Sequence, residues 1–416
     1  MSGNKQFFNN VLTLFTGSIL AQSVPLIVSP ILTRQYSPES FGEYAFYLSI
    51  VTILSVAATG RYDLSIMIAD DEETSRAATS LSFLLSIIFS SILFFLAILE
   101  NIFGWFGTYH NLFYIGAINI GLIGSYNTLY HRLNRNGRFR MISVAAFIQS
   151  FTIAFFQLFL GIFHGSGTNL IIGNIFGQFL AVIFIVFKDR EFIEIVGNLS
   201  FEKLKTVAVR FINFPKFDLW AGLFNIGFQQ IPVLMLSYFF TKTAVGHFSL
   251  TQRMLQIPTS LIGGSILGAF RVKAIEEFKT NGNCVSIFVK IFLFMFAIGI
   301  VPSIIIFLFG HKIFMIIFGQ EWIFSGFFSQ IMIFMFFAKF ITSPLTYMFY
   351  IAEKQSWNLI GQILFIISTV VSFYIGHLQK SIILALILYT ISNTVLYIAY
   401  LLVSYLFAKG LYVNKK

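Results

Sequence analysis

"KDREFIEIVGNLSFEKLKTVAVRF" (Lys188–Phe211) is the longest stretch of this chain that contains no run fit to cross a membrane. Its charges recur every few residues, whereas a spanning helix needs about 20 mostly apolar residues in succession. On either side the sequence is almost continuously apolar. Six runs of spanning length precede it, with cores near 9–32, 42–60, 78–99, 112–130, 142–162 and 169–187. Six more follow, near 217–240, 245–268, 285–309, 323–350, 358–377 and 381–407. The stretch therefore divides the chain into an N-terminal six-helix bundle (1–187), a cytoplasmic linker (188–212) and a C-terminal six-helix bundle (213–416). Within the linker, Leu204, Val207, Ala208 and Phe211 share one helical face, and Lys203, Lys205 and Arg210 lie off it. That pattern predicts an interfacial helix on the inner leaflet.

Composition supports the same class. Of 416 residues, 57% are hydrophobic and 54 are phenylalanine, while only 11% are charged; ordinary globular chains carry roughly 25% charged residues. Lipid is the solvent for such a surface, and the expected class is an all-α integral membrane protein. Cys284 is the only cysteine, which excludes a disulfide within the chain. The opening "MSGNKQ" carries one lysine, and no small-residue cleavage site follows a short apolar stretch. The first hydrophobic segment is accordingly expected to be retained as a helix.

A net charge of +10 would suit a nucleic-acid partner, but the basic residues are placed as topology requires. With the N-terminus cytoplasmic, the inner segments hold Lys5, Arg61 and Arg76, the Arg132–Arg140 cluster, the linker cations, Arg271, Lys273, Lys279, Lys354 and the C-terminal lysines. The outer segments hold only Arg34, Lys242, Lys312 and Lys380. This obeys the positive-inside rule, and an odd number of spans would break the alternation. Twelve spans with both termini cytoplasmic are expected, and no nucleic-acid partner.

The halves also repeat one another. "QSVP" (Gln22–Pro25) is matched by "QQIP" (Gln229–Pro232), and "FGEY" (Phe41–Tyr44) by "VGHF" (Val245–Phe248), in the same order and at nearly constant offset. "NRNGRFRM" has a weaker counterpart in "AEKQSWN". Because each repeat has an even number of spans, the two share an orientation and are related by an axis along the membrane normal. Secondary transporters are often built this way, with the substrate path between the repeats.

Motifs for chemistry are missing. There is no GxxxxGK[ST] nucleotide loop, no HExxH and no CxxC, and the six histidines are scattered. "HGSG" (164–167) is a glycine-rich turn rather than a nucleophile elbow. The outer loops are short, which opposes a membrane glycan polymerase or ligase. No catalytic residue, metal or cofactor is expected.

Polar residues within spans are costly and usually face a cavity or the bundle interior. Arg253 sits inside span eight with Gln252 and Gln256 nearby and Pro258 beyond; Lys339 sits deep in span ten before Pro344. Lys216 and Asp218 open span seven, which continues to Gln229 and Gln230, and Gln22 lies in span one before Pro25 and Pro30. At the inner end of span two, "TGRYDLSIMIADDEET" (Thr59–Thr74) holds Arg61 and Asp63 and then four acids. The acids (70–73) read as a solvated turn opening the next helix, where negative charge suits the dipole. Arg61 and Asp63 read as a pair at the cytoplasmic mouth of a path, facing Lys216 and Asp218. Plain alternatives exist for several: Lys216 and Lys290 could snorkel, and Gln22 and Gln229 could serve only as interhelical hydrogen-bonding groups.

Residues 32–73, "LTRQYSPESFGEYAFYLSIVTILSVAATGRYDLSIMIADDEE", resemble the first helices and following loop of bacterial lipid-linked O-antigen oligosaccharide flippases. These form part of the polysaccharide-transporter branch of the multidrug/oligosaccharidyl-lipid/polysaccharide exporter superfamily. "FPKFDLWAGLFNIGFQQIPVLMLSYFFTKTAVGHFSLTQRMLQIPTSLIGGSILGAF" (214–270) is similar to the start of that family's second half. The resemblance implies a V-shaped pair of pseudo-symmetric six-helix bundles in the bacterial inner membrane. Its substrate would be an undecaprenyl-pyrophosphate-linked oligosaccharide turned from the cytoplasmic to the outer leaflet by alternating access. Arg61, Lys216, Arg253, Lys339, Gln22, Gln229, Gln230 and Gln256 would then contact substrate, since cations suit pyrophosphate and amides suit sugar hydroxyls. Asp63 and Asp218 become candidates for ion coupling or gating. Membrane lipids, a polysaccharide polymerase and a chain-length regulator are the implied partners. Span one departs from the family pattern in its neutral interior, with Arg34 only at its outer end. A multidrug/cation antiporter of the same superfamily is the alternative; it would favour buried acids where this chain has mid-span cations.

Overall fold

Apolar runs that exceed one bilayer thickness have one economical structure in lipid, a helix that satisfies its own backbone. The computed structural model, which describes residues 2–103, 110–197 and 200–411, is all-α, with no strand among those residues. The elements are α1 (Ser2–Gln35), α2 (Pro38–Ala58), α3 (Tyr62–Ile68), α4 (Glu72–Phe103), α5 (His110–Arg135), α6 (Phe139–Phe163), α7 (Gly167–Lys188), α8 (Arg190–Gly197) and α9 (Phe201–Arg210). They continue with α10 (Leu219–Phe239), α11 (Lys242–Pro258), α12 (Gly264–Asn281), α13 (Val285–Phe318), α14 (Ile323–Leu345), α15 (Met348–Ile351), α16 (Gln355–Leu378) and α17 (Ile382–Ala408).

Each of the twelve expected spans falls in helix, and ten helical segments among the described residues are long and apolar enough to cross a membrane. The two outside that set are 9–32 and 245–268. The side chains of the first part of 9–32, with Lys5 and Ser18, lie outside the described residues, as do Lys415 and Lys416. The stretch 245–268 is not one continuous α-helix. α11 ends at Pro258, a π-turn occupies Thr259–Gly263, and α12 follows. A second π-turn, Phe214–Asp218, contains Pro215 and leads into α10. Proline has no amide hydrogen to donate, and a widened turn beside it accommodates the broken ladder.

The chain packs into two compact units, one comprising Met1–Tyr36 with Glu43–Gln230 and the other Ser37–Gly42 with Ile231–Lys416. The sequence repeat predicts a boundary at residue 213, and the packing boundary falls inside α10. Asp218, the last residue of the π-turn before it, and Gly222 on its first turn lie against Arg61 and Val56 of the first unit.

In the first unit α1 packs on α6, α6 on α7, α4 on α5, and α5 on α7. Polar atoms on these helices meet across the seams. Ser82 and Thr128 hydroxyls lie 2.7 Å apart between α4 and α5, and the Ser90 hydroxyl donates to the Ala117 carbonyl. Asn119 donates to the Tyr47 hydroxyl and to Asn174, which donates in turn to the Tyr44 hydroxyl. Such bonds hold helices together where apolar burial supplies no driving force. The apolar face of α9, expected to lie on the inner leaflet, instead packs on the chain: Val207 and Phe211 lie with Tyr62, Ile66 and Ala78, with Ala208 partly buried beside them. That face is covered by α3 and α4 of this chain.

In the second unit α13 packs on α14, α16 on α17, and α14 on both α17 and α11. α11 is fastened at its centre, where Thr251 donates to the Ser325 carbonyl at 2.8 Å and His247 Nδ1 lies 3.0 Å from the Ser325 hydroxyl.

Candidate functional site

The Thr59–Asp63 corner is made by two successive left-handed residues. α2 stops at Ala58; Gly60 has φ 58° and Arg61 has φ 64°. Glycine adopts this region freely, whereas a side chain there carries strain of order 1–3 kcal/mol. Arg61 is held in place by Asp218, whose Oδ2 accepts from Nε at 2.7 Å. The pair is partly open to solvent, with side-chain exposures of 26% and 41%.

Asp63 faces the other way. It is buried on α3, accepts from the Thr59 hydroxyl at 2.7 Å through Oδ1, and has His131 Nε2 of α5 at 3.5 Å from Oδ2. Arg61 and Asp63 thus take different partners. Arg61 stands ahead of α3 in a left-handed turn and Asp63 lies on its first turn, so the two side chains leave the corner in different directions.

The four acids after α3 are exposed, as expected, and each is engaged. Asp70 pairs with Arg210, Glu72 with Arg76 at 3.3 Å, and Glu73 with Lys203 at 2.6 Å. Asp71 caps α4, accepting from the Thr74 amide at 2.7 Å and its hydroxyl at 2.9 Å. Those two bonds hold its carboxyl below the usual carboxylate range.

The remaining candidates lie on α1, the first π-turn, α10, α11 and α14. Lys216 is exposed in the π-turn, with its ammonium over the Phe217 ring at 5.2 Å. Gln22 on α1 is exposed; so is Gln229 on α10, which donates to Asn225 one turn earlier, and Gln230 beside it is half-buried. On α11 Arg253 is exposed and Gln256 half-buried. Lys339 on α14 lies with its ammonium 5.6 Å from the Phe336 ring, and no carboxylate among the described residues pairs with it. A groove of about 990 Å³ in the second unit, lined by His247, Phe324, Phe327, Phe334 and Ile387 among others, is almost wholly apolar and contains none of these candidates.

Sequence reading missed two features. One is His131, which looked like one of six scattered histidines. The other is a buried ionic network at the end of α5. Arg132 donates through Nε to Asp189 at 2.8 Å and through Nη2 to Glu191 at 3.0 Å, and Arg138 donates to Asp189 at 3.0 Å. The network joins the α5–α6 turn to the α7–α8 junction. Among the described residues no group of three or more His, Cys, Asp or Glu could hold a metal ion.

The sequence model of a family described as "Polysaccharide biosynthesis protein" matches residues 31–326. No curated protein sequence matches the chain. Among solved structures the chain is similar to the lipid II flippase MurJ in an inward closed conformation, with a TM-score of 0.73 and 16% identity over 94% of this chain and 87% of that one. It is also similar to an inward-facing multidrug resistance MATE family transporter of the MOP superfamily, with a TM-score of 0.62 and 16% identity over 97% and 96%. A MOP superfamily transporter from Pyrococcus furiosus, described as having a binding pocket of reverse polarity, gives 0.58 and 15% identity over 98% and 96%. Identities this low show a shared fold, the multi-pass α-helical fold of these transporters.

Proposed function

The chain belongs to the polysaccharide biosynthesis protein family, and from that premise we propose that it is a flippase for lipid-linked oligosaccharides. Its substrate is an undecaprenyl-pyrophosphate-linked repeat unit, moved from the cytoplasmic to the outer leaflet of the bacterial inner membrane for O-antigen or a related surface polysaccharide. In this reading twelve helices cross the membrane as two six-helix bundles in a V, both termini are cytoplasmic, and access alternates without any bond being made or broken. The observation that carries it is the family match over residues 31–326, which runs through both sequence repeats and includes Arg61, Lys216, Asp218, Gln229, Gln230, Arg253 and Gln256. Lys339 supports an anionic cargo, because an ammonium set within a span, with no carboxylate beside it among the described residues, favours binding a phosphate or acidic sugar.

Deleting the gene is expected to abolish the surface glycan and to accumulate repeat units on the cytoplasmic leaflet. Normal surface polysaccharide in a deletion strain that has no second exporter would overturn the reading. In the complemented strain, Arg253→Ala is expected to lower flipping by about tenfold or more, the worth of one charge-assisted hydrogen bond, at unchanged protein level. Lys290→Ala, at an exposed helix position, keeps full activity. Equal behaviour of the two variants would remove Arg253 from the substrate path. A multidrug antiporter would leave surface glycan intact on deletion and raise sensitivity to cationic drugs.

A further inference from the structure

Asp63 is almost fully buried, and Thr59 donates to one of its oxygens while His131 stands 3.5 Å from the other. With the Nε2 hydrogen of His131 turned toward that carboxylate, Nδ1 is left as a buried acceptor, and it has no hydrogen-bond partner among the described residues. The other charged groups at this end are engaged elsewhere. Arg132 is held by Asp189 and Glu191, Arg135 donates to the carbonyls of Ile66 and Met67, and Arg76 lies on Glu72. Lys216 lies over Phe217, and Tyr62 donates its hydroxyl to the Ala208 carbonyl. Asp63 is thus the one carboxylate among the described residues within ion-pair distance of His131, and Arg61, two residues away on the same corner, holds Asp218 in a pair partly open to solvent.

We propose that Asp63 and His131 form a proton-binding site and that its protonation decides which carboxylate Arg61 holds. A proton from solvent adds to His131 Nδ1, and the resulting imidazolium neutralises Asp63; no other bond forms or breaks. Arg61 then stays on Asp218, where the structure has it at 2.7 Å. When the ring is neutral, Asp63 is compensated only by the Thr59 hydroxyl, and the Arg61 guanidinium is drawn toward it and away from Asp218. The open, two-sided Arg61–Asp218 pair permits that exchange, whereas a buried pair would resist it. Because Arg61 leads out of α2 through two left-handed residues, its change of partner is transmitted to the α2–α3 corner on one side and to the start of α10 on the other. By linkage, whatever pulls Arg61 off Asp218 also weakens proton binding at His131. The inference deepens the flippase reading by naming the coupling ion as a proton, and only that consequence rests on the reading.

The test uses the full chain in lipid nanodiscs with isotope-labelled histidine, where His131→Gln identifies the His131 resonance. The His131 resonance is expected to report protonation of the ring as the sample is taken from alkaline to acid pH. Asp63→Asn lowers its midpoint by about one unit or more by removing the facing charge. Asp218→Asn, which removes no contact of His131, also lowers it, because the released Arg61 moves to Asp63. A His131 that stays neutral over the whole range, or a midpoint unmoved by Asp63→Asn, overturns the proton site. A midpoint unmoved by Asp218→Asn overturns the exchange. None of these readings needs substrate, so they remain decisive whatever becomes of the flippase assignment. In proteoliposomes loaded with lipid-linked oligosaccharide, wild-type flipping is expected to vary with pH and His131→Gln flipping to be flat. Parallel profiles would overturn the coupling.

Discussion

Replacing Asp189 by alanine is expected to remove about 3–5 kcal/mol of stability, the scale for deleting one partner of a buried ion pair. Asp189 is fully buried and Arg132 is 1% exposed, so the guanidinium cannot recover its hydration when the carboxylate goes. Glu191 alone would remain to it, and that side chain is half in solvent. Arg138 loses its partner as well, but at 38% exposure it can turn to water. The loss should therefore come mainly from Arg132. Thermal unfolding of the purified full chain reads the effect, with Arg76→Ala as the comparison. Arg76 forms an exposed pair with Glu72 one turn away, and removing such a pair changes stability by a few tenths of a kcal/mol. Equal unfolding midpoints for the two variants would show that water reaches Arg132. Asp189→Asn should fall between them, since an amide oxygen still accepts one bond but carries no charge.

The same network marks how far the sequence could be read. Hydropathy placed the expected spans in helix because a run of about 20 apolar residues is a local property, yet ten segments among the described residues are long and apolar enough to cross, and 245–268 is broken after Pro258. The apolar face of α9 was legible too, since Val207 and Phe211 recur one helical turn apart, but it read as a face for the inner leaflet. Its cover was not, because Tyr62 and Ile66 are remote in sequence. Charge asymmetry explained why Arg132 and Arg138 lie at that end of the chain, and that sufficient explanation concealed their second role. Asp189 follows directly on α7 and looks like a helix-end residue until folding brings it beneath α5. His131 was missed for the same reason: the contact to Asp63 joins residues on different helices, and nothing in either neighbourhood signals it. Arg61 meets Asp218, one of the two residues it was expected to face, whereas Asp63 turns to Thr59 and His131, because Arg61 stands in a left-handed turn ahead of α3 and Asp63 lies on the helix itself. The π-turns at Phe214–Asp218 and Thr259–Gly263 stand beside prolines that were visible as weak points, but the form the weakness takes depends on packing.

Alanine in place of Gly42 or Gly246 is expected to destabilise the protein, although alanine in a helix is ordinarily favoured over glycine by about 0.5–1 kcal/mol. The two glycines occupy matched positions in "FGEY" and "VGHF" and meet each other inside the second unit. A methyl group on Gly42 would overlap the Lys242 carbonyl, and one on Gly246 would overlap the Pro38 carbonyl. In each case the obstructing carbonyl belongs to the residue four before the opposite glycine. Each added methyl also lies 3.1 Å from the other glycine's amide nitrogen. The contact is reciprocal, backbone against backbone, so no side chain can rotate to relieve it. The start of α2 and the start of α11 must move apart, at a cost in the range of overpacked sites, about 1–3 kcal/mol. Once they have parted for one methyl group, the second finds space already made. Gly42→Ala and Gly246→Ala should therefore each lower the unfolding midpoint, and the double variant should fall little further than either alone. Neighbouring sites that share one displacement are where additivity fails. Additive losses would mean the methyl groups are accommodated separately, and unchanged midpoints would mean that α2 and α11 already stand further apart than a glycine contact requires.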